Sequence, residues 1–283
     1  MSNFYQRLAL GSFATFFAIL LIWFAPAPNF RPFFALIIAS LITLAVSEMY
    51  YIAKNKNFNP LVKIGLTGCF LYVLSIFITT QFTDLSSLPY LVLLGTLFAS
   101  FLYFFKTGKD PLVNLSITLF GLMYIAIPLS IWFNIVYFFP ETSSQEGRWW
   151  LLYLLAVIKI TDMGAYFVGS ALGKHKMTPY ISPGKTWEGA LGGLFLGLTA
   201  SLVFYIMTPL VPIHLTLFQS IWLGVLLSFM GQIGDLAESL IKRDAGIKNS
   251  SHIPGLGGVL DVFDSLVFTS PILYIFIKTQ VAS

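Results

Sequence analysis

Residues 112–139 read LVNLSITLFGLMYIAIPLSIWFNIVYFF, a run that contains no charged side chain. About 20 consecutive apolar residues are enough to cross the hydrocarbon core of a membrane as a helix. This run is therefore long enough to tilt, to kink at Pro128 or to continue past the bilayer. It predicts a membrane-spanning helix, and similar runs recur along the whole chain.

The composition supports the same fold class. Hydrophobic residues make up 57% of the 283 residues and charged residues only 10%, whereas soluble domains carry about 25% charged residues. We therefore predict an all-α polytopic integral membrane protein with about nine transmembrane helices. The first run follows Arg7 and has no small-residue cleavage site after it, which indicates a retained helix rather than a signal peptide. The predicted spans are 9–25, 33–53, 61–80, 88–105, 112–139, 149–170, 187–208, 217–234 and 259–278.

The distribution of basic residues predicts the orientation. With nine spans, 12 of the 16 Lys and Arg residues fall in loops on one side and three on the other, and Lys159 lies within a span. The positive-inside rule places the richer side in the cytoplasm. We therefore expect insertion in the inner (cytoplasmic) membrane, with the N-terminus and the active site in the cytoplasm and the C-terminus outside.

Acidic residues concentrate in the second half of the chain. Seven of the 12 carboxylates lie between positions 162 and 264. We therefore expect residues 1–140 to form a transmembrane scaffold of about five helices and residues 141–283 to form the catalytic region. These seven acids are Asp162, Glu188, Asp235, Glu238, Asp244, Asp261 and Asp264.

Two polar loops fall on the predicted cytoplasmic side, from Gly169 to Glu188 and from Asp235 to Gly258. Asp162 lies within the sixth span and is expected to project toward the same side. An ionised carboxylate inside a span costs several kcal/mol unless it is paired or bound to a metal. The alternative to a functional role for Asp162 is a structural ion pair with Lys159.

Two pairs of acids have helical spacing. Asp235 and Glu238 are three residues apart, as are Asp261 and Asp264, so each pair shares one face of a helix. Hard oxygen ligands favour Mg²⁺ or Mn²⁺ over zinc. The alternative is that such acids are favoured only at a helix N-terminus, a role that suits Asp261.

Basic residues and glycines lie beside these acids. Gly257 and Gly258 allow backbone amides to approach a phosphate closely, and the helix that begins nearby has a favourable dipole. Four basic side chains could neutralise phosphates, although juxtamembrane positive charge explains each of them equally well. These side chains are Lys185, Lys242, Arg243 and Lys248.

The stretch from Ser239 to Ser265 resembles the motif of the phosphatidate cytidylyltransferases, the CDP-diacylglycerol synthases. The similarity extends upstream to Gly234-Asp235 and to an earlier block from Asp162 to Gly189, so three ordered blocks cover about 105 residues. The matching residues within the stretch are Ser239, Lys242, Arg243, Lys248, Pro254, Gly255, Gly257, Gly258, Leu260, Asp261, Asp264 and Ser265. Asn249, Leu256 and Val262 depart from the motif, standing where the family has Asp, His and Arg.

The resemblance implies transfer of CMP from CTP to phosphatidic acid, which makes the chain a nucleotidyltransferase of phospholipid synthesis. It further implies a membrane-embedded homodimer with Mg²⁺ as cofactor and no nucleic acid among its partners. Asp235 and Asp261 would bind the metal, supported by Asp264 and Glu238. Lys185 and Lys248 would be catalytic. The implied substrate contacts are Ser182, Lys185, Ser239, Lys242, Arg243, Lys248, Gly257 and Gly258, with Asp162 and Glu188 as additional site residues.

Two other functions remain open from the residues alone. A CTP-dependent kinase of polyprenol-type lipid alcohols would share the acids and the basic loops, but it would need an activated hydroxyl. A transporter or non-catalytic scaffold is compatible with Leu256 and Val262. A transporter, however, should show a polar pathway to the outer side, where the loops offer little beyond Asp84, Glu141 and Glu146.

Overall fold

The computed structural model describes residues 15–248 and 258–281, and these residues are predominantly helical. A 3₁₀ turn (Thr83–Leu85), two π-helical turns (Leu122–Ala126 and Ile277–Val281) and two short strands, β1 (Lys176–Thr178) and β2 (Ser182–Thr186), complete the elements. The helices are α1 (Thr15–Phe24), α2 (Arg31–Asn55), α3 (Val62–Gln81), α4 (Leu88–Thr107), α5 (Pro111–Gly121), α6 (Ile127–Val136), α7 (Gly147–Leu172), α8 (Trp187–Met207), α9 (Leu217–Asp244) and α10 (Val259–Phe276).

The predicted all-α membrane fold is confirmed. In the part of the chain that the structure describes, eight helical segments are long and apolar enough to cross a membrane. The shorter apolar helix α1 corresponds to the first predicted span, whose start at residue 9 lies outside the described residues. Hydropathy alone therefore located the helices, because a bilayer needs long apolar segments whose backbone hydrogen bonds are satisfied internally.

The long apolar run at residues 112–139 forms one span with a local irregularity. Helix α5 ends at Gly121, the π-helical turn Leu122–Ala126 follows, and α6 continues to Val136. Pro128 lies at the second position of α6. A proline has no N–H to donate to the carbonyl four residues before it, and a π-helical turn is one way in which a helix accommodates such a break.

Two elements of the polar segments differ from the sequence prediction. Helix α9 extends to Asp244, ten residues beyond the predicted end of that span. Hydropathy drops after Gly234, but the charged residues keep helical spacing, and Glu238 pairs with Lys242 one turn later at 2.5 Å. The predicted loop from Gly169 to Glu188 contains an antiparallel hairpin, in which Lys176 pairs with Thr186 and Thr178 with Ser182.

The described residues fall into two compact units. The first unit comprises the described residues within Met1–Asn134 and Asp244–Phe263. The second comprises those within Ile135–Arg243 and Asp264–Ser283. The predicted boundary at residue 140 separates a scaffold from a catalytic region by function, and that division stays a prediction.

In the first unit, polar side chains of α5 hold the connection between α2 and α3. Asn114 and Thr118 accept hydrogen bonds from the backbone N–H groups of Asn59 and Leu61 at 2.9 and 2.8 Å. The Tyr50 hydroxyl on α2 donates to the carbonyl oxygen of Thr118 at 2.7 Å. A buried backbone polar group without a partner costs free energy, so these contacts fix the turn before α3.

In the second unit, α7 and α8 pack closely along their length. A Cβ atom at Gly193 would lie 2.8 Å from the carbonyl oxygen of Thr161 and 3.0 Å from the Cβ of Ala165. Hydroxyl groups add links between helices, since the Tyr153 hydroxyl lies 2.7 Å from that of Ser201. Small residues and interhelical hydrogen bonds are the usual means of packing helices within a membrane.

This packing predicts opposite effects for alanine at two helical glycines. Gly193→Ala should lower the melting temperature of the purified protein by several degrees, because the new Cβ forces α7 and α8 apart. Gly95→Ala on α4 is the matched control, since a Cβ there meets nothing within 4 Å. Because alanine is more favourable than glycine in a helix by about 1 kcal/mol, this variant should have a slightly higher melting temperature. Equal melting temperatures for the two variants would contradict the close approach at Gly193.

Candidate active site

The second unit contains a cavity of about 390 Å³ that opens between its helices and the hairpin. Asp162 from α7, Lys185 from β2, and Gln232 and Asp235 from α9 supply its charged and amide side chains. Apolar and small residues form much of the remaining wall. The cavity therefore brings together three residues that the sequence analysis predicted for the site, namely Asp162, Lys185 and Asp235.

An ion pair joins two of these residues. The Lys185 ammonium group lies 2.7 Å from Oδ2 of Asp235, and both side chains are partly exposed to the cavity. Lys185 immediately precedes Thr186, the N-cap of α8, whose hydroxyl accepts a hydrogen bond from Gly189 N–H at 3.1 Å. The positive end of the α8 dipole thus faces the same region as Lys185, and both favour an anion there.

The hairpin that carries Lys185 is attached at several points. The Trp187 N–H donates to the His175 carbonyl oxygen at 3.0 Å, which closes the open end of the hairpin. Glu188 accepts from the backbone N–H groups of Lys174 and His175 at 3.2 Å, and its Oε1 lies 2.5 Å from Nδ1 of His175. Arg243 donates from Nε to the Ile181 carbonyl oxygen at 2.9 Å. Glu188 and Arg243 therefore hold the strand that presents Lys185.

A close helix crossing places Asp264 near Asp235. A Cβ atom at Gly234 would lie 2.4 Å from the carbonyl oxygen of Asp264, so only glycine allows α9 to lie this close to α10. Asp264 is buried and accepts from the N–H and hydroxyl of its neighbour Ser265. Both Asp264 and Asp162 lie within electrostatic range of Asp235.

Asp162 has the alternative partner that the sequence suggested. Its Oδ2 lies 3.7 Å from the Lys159 ammonium group one turn earlier on α7. The structural ion pair and a place in the cavity wall are therefore both present. Lys159 reduces the cost of the Asp162 charge inside the span, which keeps a carboxylate in the wall of the cavity.

The remaining predicted residues of α9 lie outside the cavity wall. Glu238 is buried and pairs with Lys242 at 2.5 Å. Ser239 is half-buried, as is Ser182 at the start of β2. The roles predicted for these residues, metal support for Glu238 and substrate contact for the others, stay predictions.

The start of α10 belongs to the first unit. Asp261 accepts the Gly258 N–H on Oδ2 at 2.9 Å, so the amide predicted to approach a phosphate is bound by a carboxylate of its own helix. Lys248 and Val262 are exposed. Gly257, with Asn249 and Leu256, lies outside the described residues. The sharing of one metal by Asp235 and Asp261 stays a prediction.

The carboxylates of the cavity suit a hard divalent cation. Asp162 and Asp235 both line the cavity, and with Asp264 nearby the mutual repulsion of these carboxylates favours a cation. Among residues 15–248 and 258–281, no three His, Cys, Asp or Glu side chains form a ready-made metal cage. Mg²⁺ usually binds to one or two carboxylates and completes its shell with water and substrate phosphates, so this set fits Mg²⁺.

Sequence reasoning missed two residues. Gln232 lies one turn before Asp235 in the cavity wall and donates from Nε2 to the Ala190 carbonyl oxygen at 3.2 Å. Glu48 on α2 is buried and binds the first turn of α10. The signal for Glu48 was present, because the rule that marks an acid within an apolar span applies to it as much as to Asp162.

With this geometry in hand, comparison with known proteins identifies the class. The model of the Cytidylyltransferase family matches residues 5–280. Proteins named phosphatidate cytidylyltransferase are similar over nearly the whole chain: that of Chlamydia pneumoniae is 30% identical, covering 96% of this chain and 91% of the relative. That of Chlamydia muridarum is 32% identical, covering 96% and 92%.

A third relative with the same name, from Staphylococcus aureus, is 45% identical over 139 residues, which cover 49% of this chain and 52% of the relative. The chain therefore belongs to the Cytidylyltransferase family, and the resemblance to that family predicted from three sequence blocks is confirmed.

The attachment of the hairpin predicts a change in its susceptibility to protease. Glu188→Gln removes the negative charge that binds His175 and weakens the acceptor for two backbone N–H groups. Trypsin should therefore cleave after Lys174 and Lys176 several times faster in this variant, as measured by mass spectrometry of the detergent-purified protein. Asp84→Asn, an equally charge-neutralising change in the turn after α3, should leave both cleavage rates unchanged. Equal rates in the Glu188→Gln and wild-type proteins would contradict the role of Glu188.

Proposed function

We propose that this membrane enzyme transfers CMP from CTP to phosphatidic acid, giving CDP-diacylglycerol and pyrophosphate. The observation that carries the proposal is the cavity in an apolar helix bundle whose wall combines Lys185 with Asp235 and Asp162. Membership of the Cytidylyltransferase family and the name shared by the relatives support this choice of substrates.

The chemistry requires few groups that transfer protons. An anionic oxygen of the lipid phosphate attacks the α-phosphorus of CTP. The bond from that phosphorus to the oxygen bridging to the β-phosphate then breaks, and pyrophosphate leaves with the bonding electrons. The nucleophile is already ionised, so no general base is needed. The barrier lies mainly in bringing two polyanions together and in stabilising the charge of the leaving group.

The side chains of the cavity suit this task. Asp235 would hold Mg²⁺, with Asp162 and Asp264 adding negative charge nearby, and the bound ion would neutralise phosphate charge and orient the triphosphate. If a cation balanced the Asp235 carboxylate, the Lys185 ammonium group would be available to bind a phosphate oxygen. Lys248 keeps its predicted role as a phosphate contact and Asp261 its predicted role as a metal ligand.

The membrane accounts for the second substrate. Several side chains on α8 are large, apolar and exposed, Leu191 and Phe195 among them, as expected for a helix in contact with lipid. We propose that the acyl chains of phosphatidic acid stay in the bilayer while the phosphate reaches Lys185 from the side. The cytoplasmic location of the site and a homodimeric assembly, without nucleic acid, belong to the same proposal.

The function predicts a specific transfer of label. Purified protein with phosphatidic acid, Mg²⁺ and α-³²P-labelled CTP should move label into the chloroform phase as a CDP-lipid, and EDTA should abolish the transfer. Asp235→Asn and Lys185→Met should each lower kcat/KM about 100-fold or more, the scale for loss of a preorganised electrostatic contact. Lys106→Met, at the end of α4, is the charge-matched control and should retain activity.

Other labels separate the alternatives. Label from γ-³²P-CTP that appears in a lipid alcohol would favour the kinase and overturn cytidylyl transfer. Folded wild-type protein that transfers neither label, with several acyl chains supplied, would contradict an enzyme of either kind.

The proposed orientation predicts which loops react from outside. In a Cys69→Ala background, Thr142→Cys in the turn before α7 should react with a membrane-impermeant maleimide in intact cells. Lys109→Cys, before α5, should react only after the membrane is permeabilised, because the positive-inside rule places it in the cytoplasm. The reverse pattern of labelling would contradict the proposed orientation of the chain in the membrane.

A further inference from the structure

A buried carboxylate from the first half of the chain binds the start of the last helix. Glu48 lies on α2 and only 9% of it is exposed. Its Oε1 accepts the Val259 N–H at 3.0 Å, and its Oε2 accepts the Leu260 N–H at 2.8 Å. Glu48 thus directs both oxygens to the first turn of α10, within the first unit.

This contact supplies what the end of a helix lacks. The first N–H groups of a helix have no carbonyl partner within it, and the positive end of the helix dipole favours a negative charge. Hydrogen bonds to an ionised acceptor are about twice as strong as those between neutral groups. Two such bonds in a buried setting fix the first turn of α10 to α2.

The fixed turn carries Asp261, the predicted metal ligand. Asp261 follows Leu260 directly, and its Oδ2 accepts the Gly258 N–H at 2.9 Å. Glu48 and Asp261 therefore divide three consecutive N–H groups between them. If Glu48 no longer accepted its two, these N–H groups would lack an acceptor within their own helix, and the turn that carries Asp261 would lose its attachment to α2.

Helix α2 makes a second contact with this part of the first unit, an exposed ion pair. Lys56, two turns after Glu48, lies 2.5 Å from both carboxylate oxygens of Asp244 at the end of α9. Both side chains are well exposed, at 42% and 64%, and exposed ion pairs contribute little to stability. Of these two contacts, the buried one at Glu48 is therefore expected to contribute more to holding the first turn of α10 in place.

We propose that Glu48 is a positioning residue for Asp261: by binding the first turn of α10 it orients the carboxylate that holds the divalent cation. This role rests on the proposed function, because it takes Asp261 as a metal ligand of the cytidylyl transfer. Partners that hydrogen-bond a metal ligand typically contribute 10–100-fold to metal affinity, and Glu48, which acts through the backbone next to Asp261, is expected at the lower end of this range.

The test measures metal binding as well as activity. Mn²⁺ binding to the full-length protein in detergent is followed by electron paramagnetic resonance, and label transfer from α-³²P-CTP is measured at increasing Mg²⁺. Glu48→Gln keeps the size of the side chain but replaces one acceptor oxygen with a donor group. It should raise the dissociation constant for Mn²⁺ and the half-activating Mg²⁺ concentration about tenfold or more, with little change in the KM for phosphatidic acid.

Tyr50→Phe separates positioning from general stability. It removes a buried hydrogen bond of the same helix, the one to the Thr118 carbonyl oxygen, but it leaves α10 untouched. It should lower the melting temperature while leaving both metal constants within about twofold of the wild type, the spread allowed for sites that do not couple. Lys56→Met should leave the melting temperature and both metal constants nearly unchanged. If Glu48→Gln does not fold, Glu48→Asp, which reaches only part of the way, should show the same direction of change.

The outcomes distinguish this inference from the function on which it rests. Wild-type protein that transfers no label refutes the proposed function. Active wild-type protein with unchanged metal constants in Glu48→Gln or Glu48→Asp refutes the positioning role alone. It is refuted equally if the wild type binds no Mn²⁺, or if Tyr50→Phe shifts the metal constants as much as Glu48→Gln does.

Discussion

An ionised carboxylate inside an apolar helix bundle is stable only where a cation or several N–H donors match its charge. This constraint organises the polar part of the structure. Asp235 is matched by Lys185, Glu238 by Lys242 and Asp162 by Lys159, at 2.7, 2.5 and 3.7 Å. Each pair ties a charged side chain to a definite position on its helix or on the hairpin.

The pairs differ in what they can do chemically. Glu238 is buried on the same helix as its partly buried partner Lys242, and breaking such a pair leaves an uncompensated charge. Lys185 and Asp235 come from different elements and face a cavity. A pair of that kind can exchange partners, so that the lysine meets a phosphate and the carboxylate meets a cation, without leaving a bare charge in the bundle.

The hairpin and the N-terminus of α8 make that exchange precise. Lys185 is adjacent to the N-cap of α8, and Glu188 in the first turn of that helix binds back to the segment before β1. The backbone around Lys185 is therefore held from both ends. A site that must align two polyanions needs such a fixed frame, because orientation supplies much of the rate.

The membrane-spanning helices were predictable from the sequence, because hydropathy responds directly to the bilayer. The polar elements were harder to predict. The charged residues after Gly234 lower the hydropathy, so the last ten residues of α9 were not predicted. The hairpin between Gly169 and Glu188 was not predicted either, because its pairing depends on tertiary contacts.

The chemical motifs singled out Asp162, Lys185 and Asp235, which all line one cavity in the structure. They could not reveal their partners, because an ion pair between β2 and α9 is set by packing and not by spacing. The same limit applies to Glu48, whose acceptors bind N–H groups 211 and 212 residues later in the chain. Its position within an apolar span predicts only that some partner exists.

A double-mutant cycle on Lys185 and Asp235 tests most directly whether the cavity is the reaction site. Residues that act together in a reaction lose activity non-additively. If Lys185 and Asp235 act together in the transfer of CMP, kcat/KM of the double variant Lys185→Met/Asp235→Asn should be about the same as that of the less active single variant. Losses that multiply would show that the two residues act independently and would contradict a shared site.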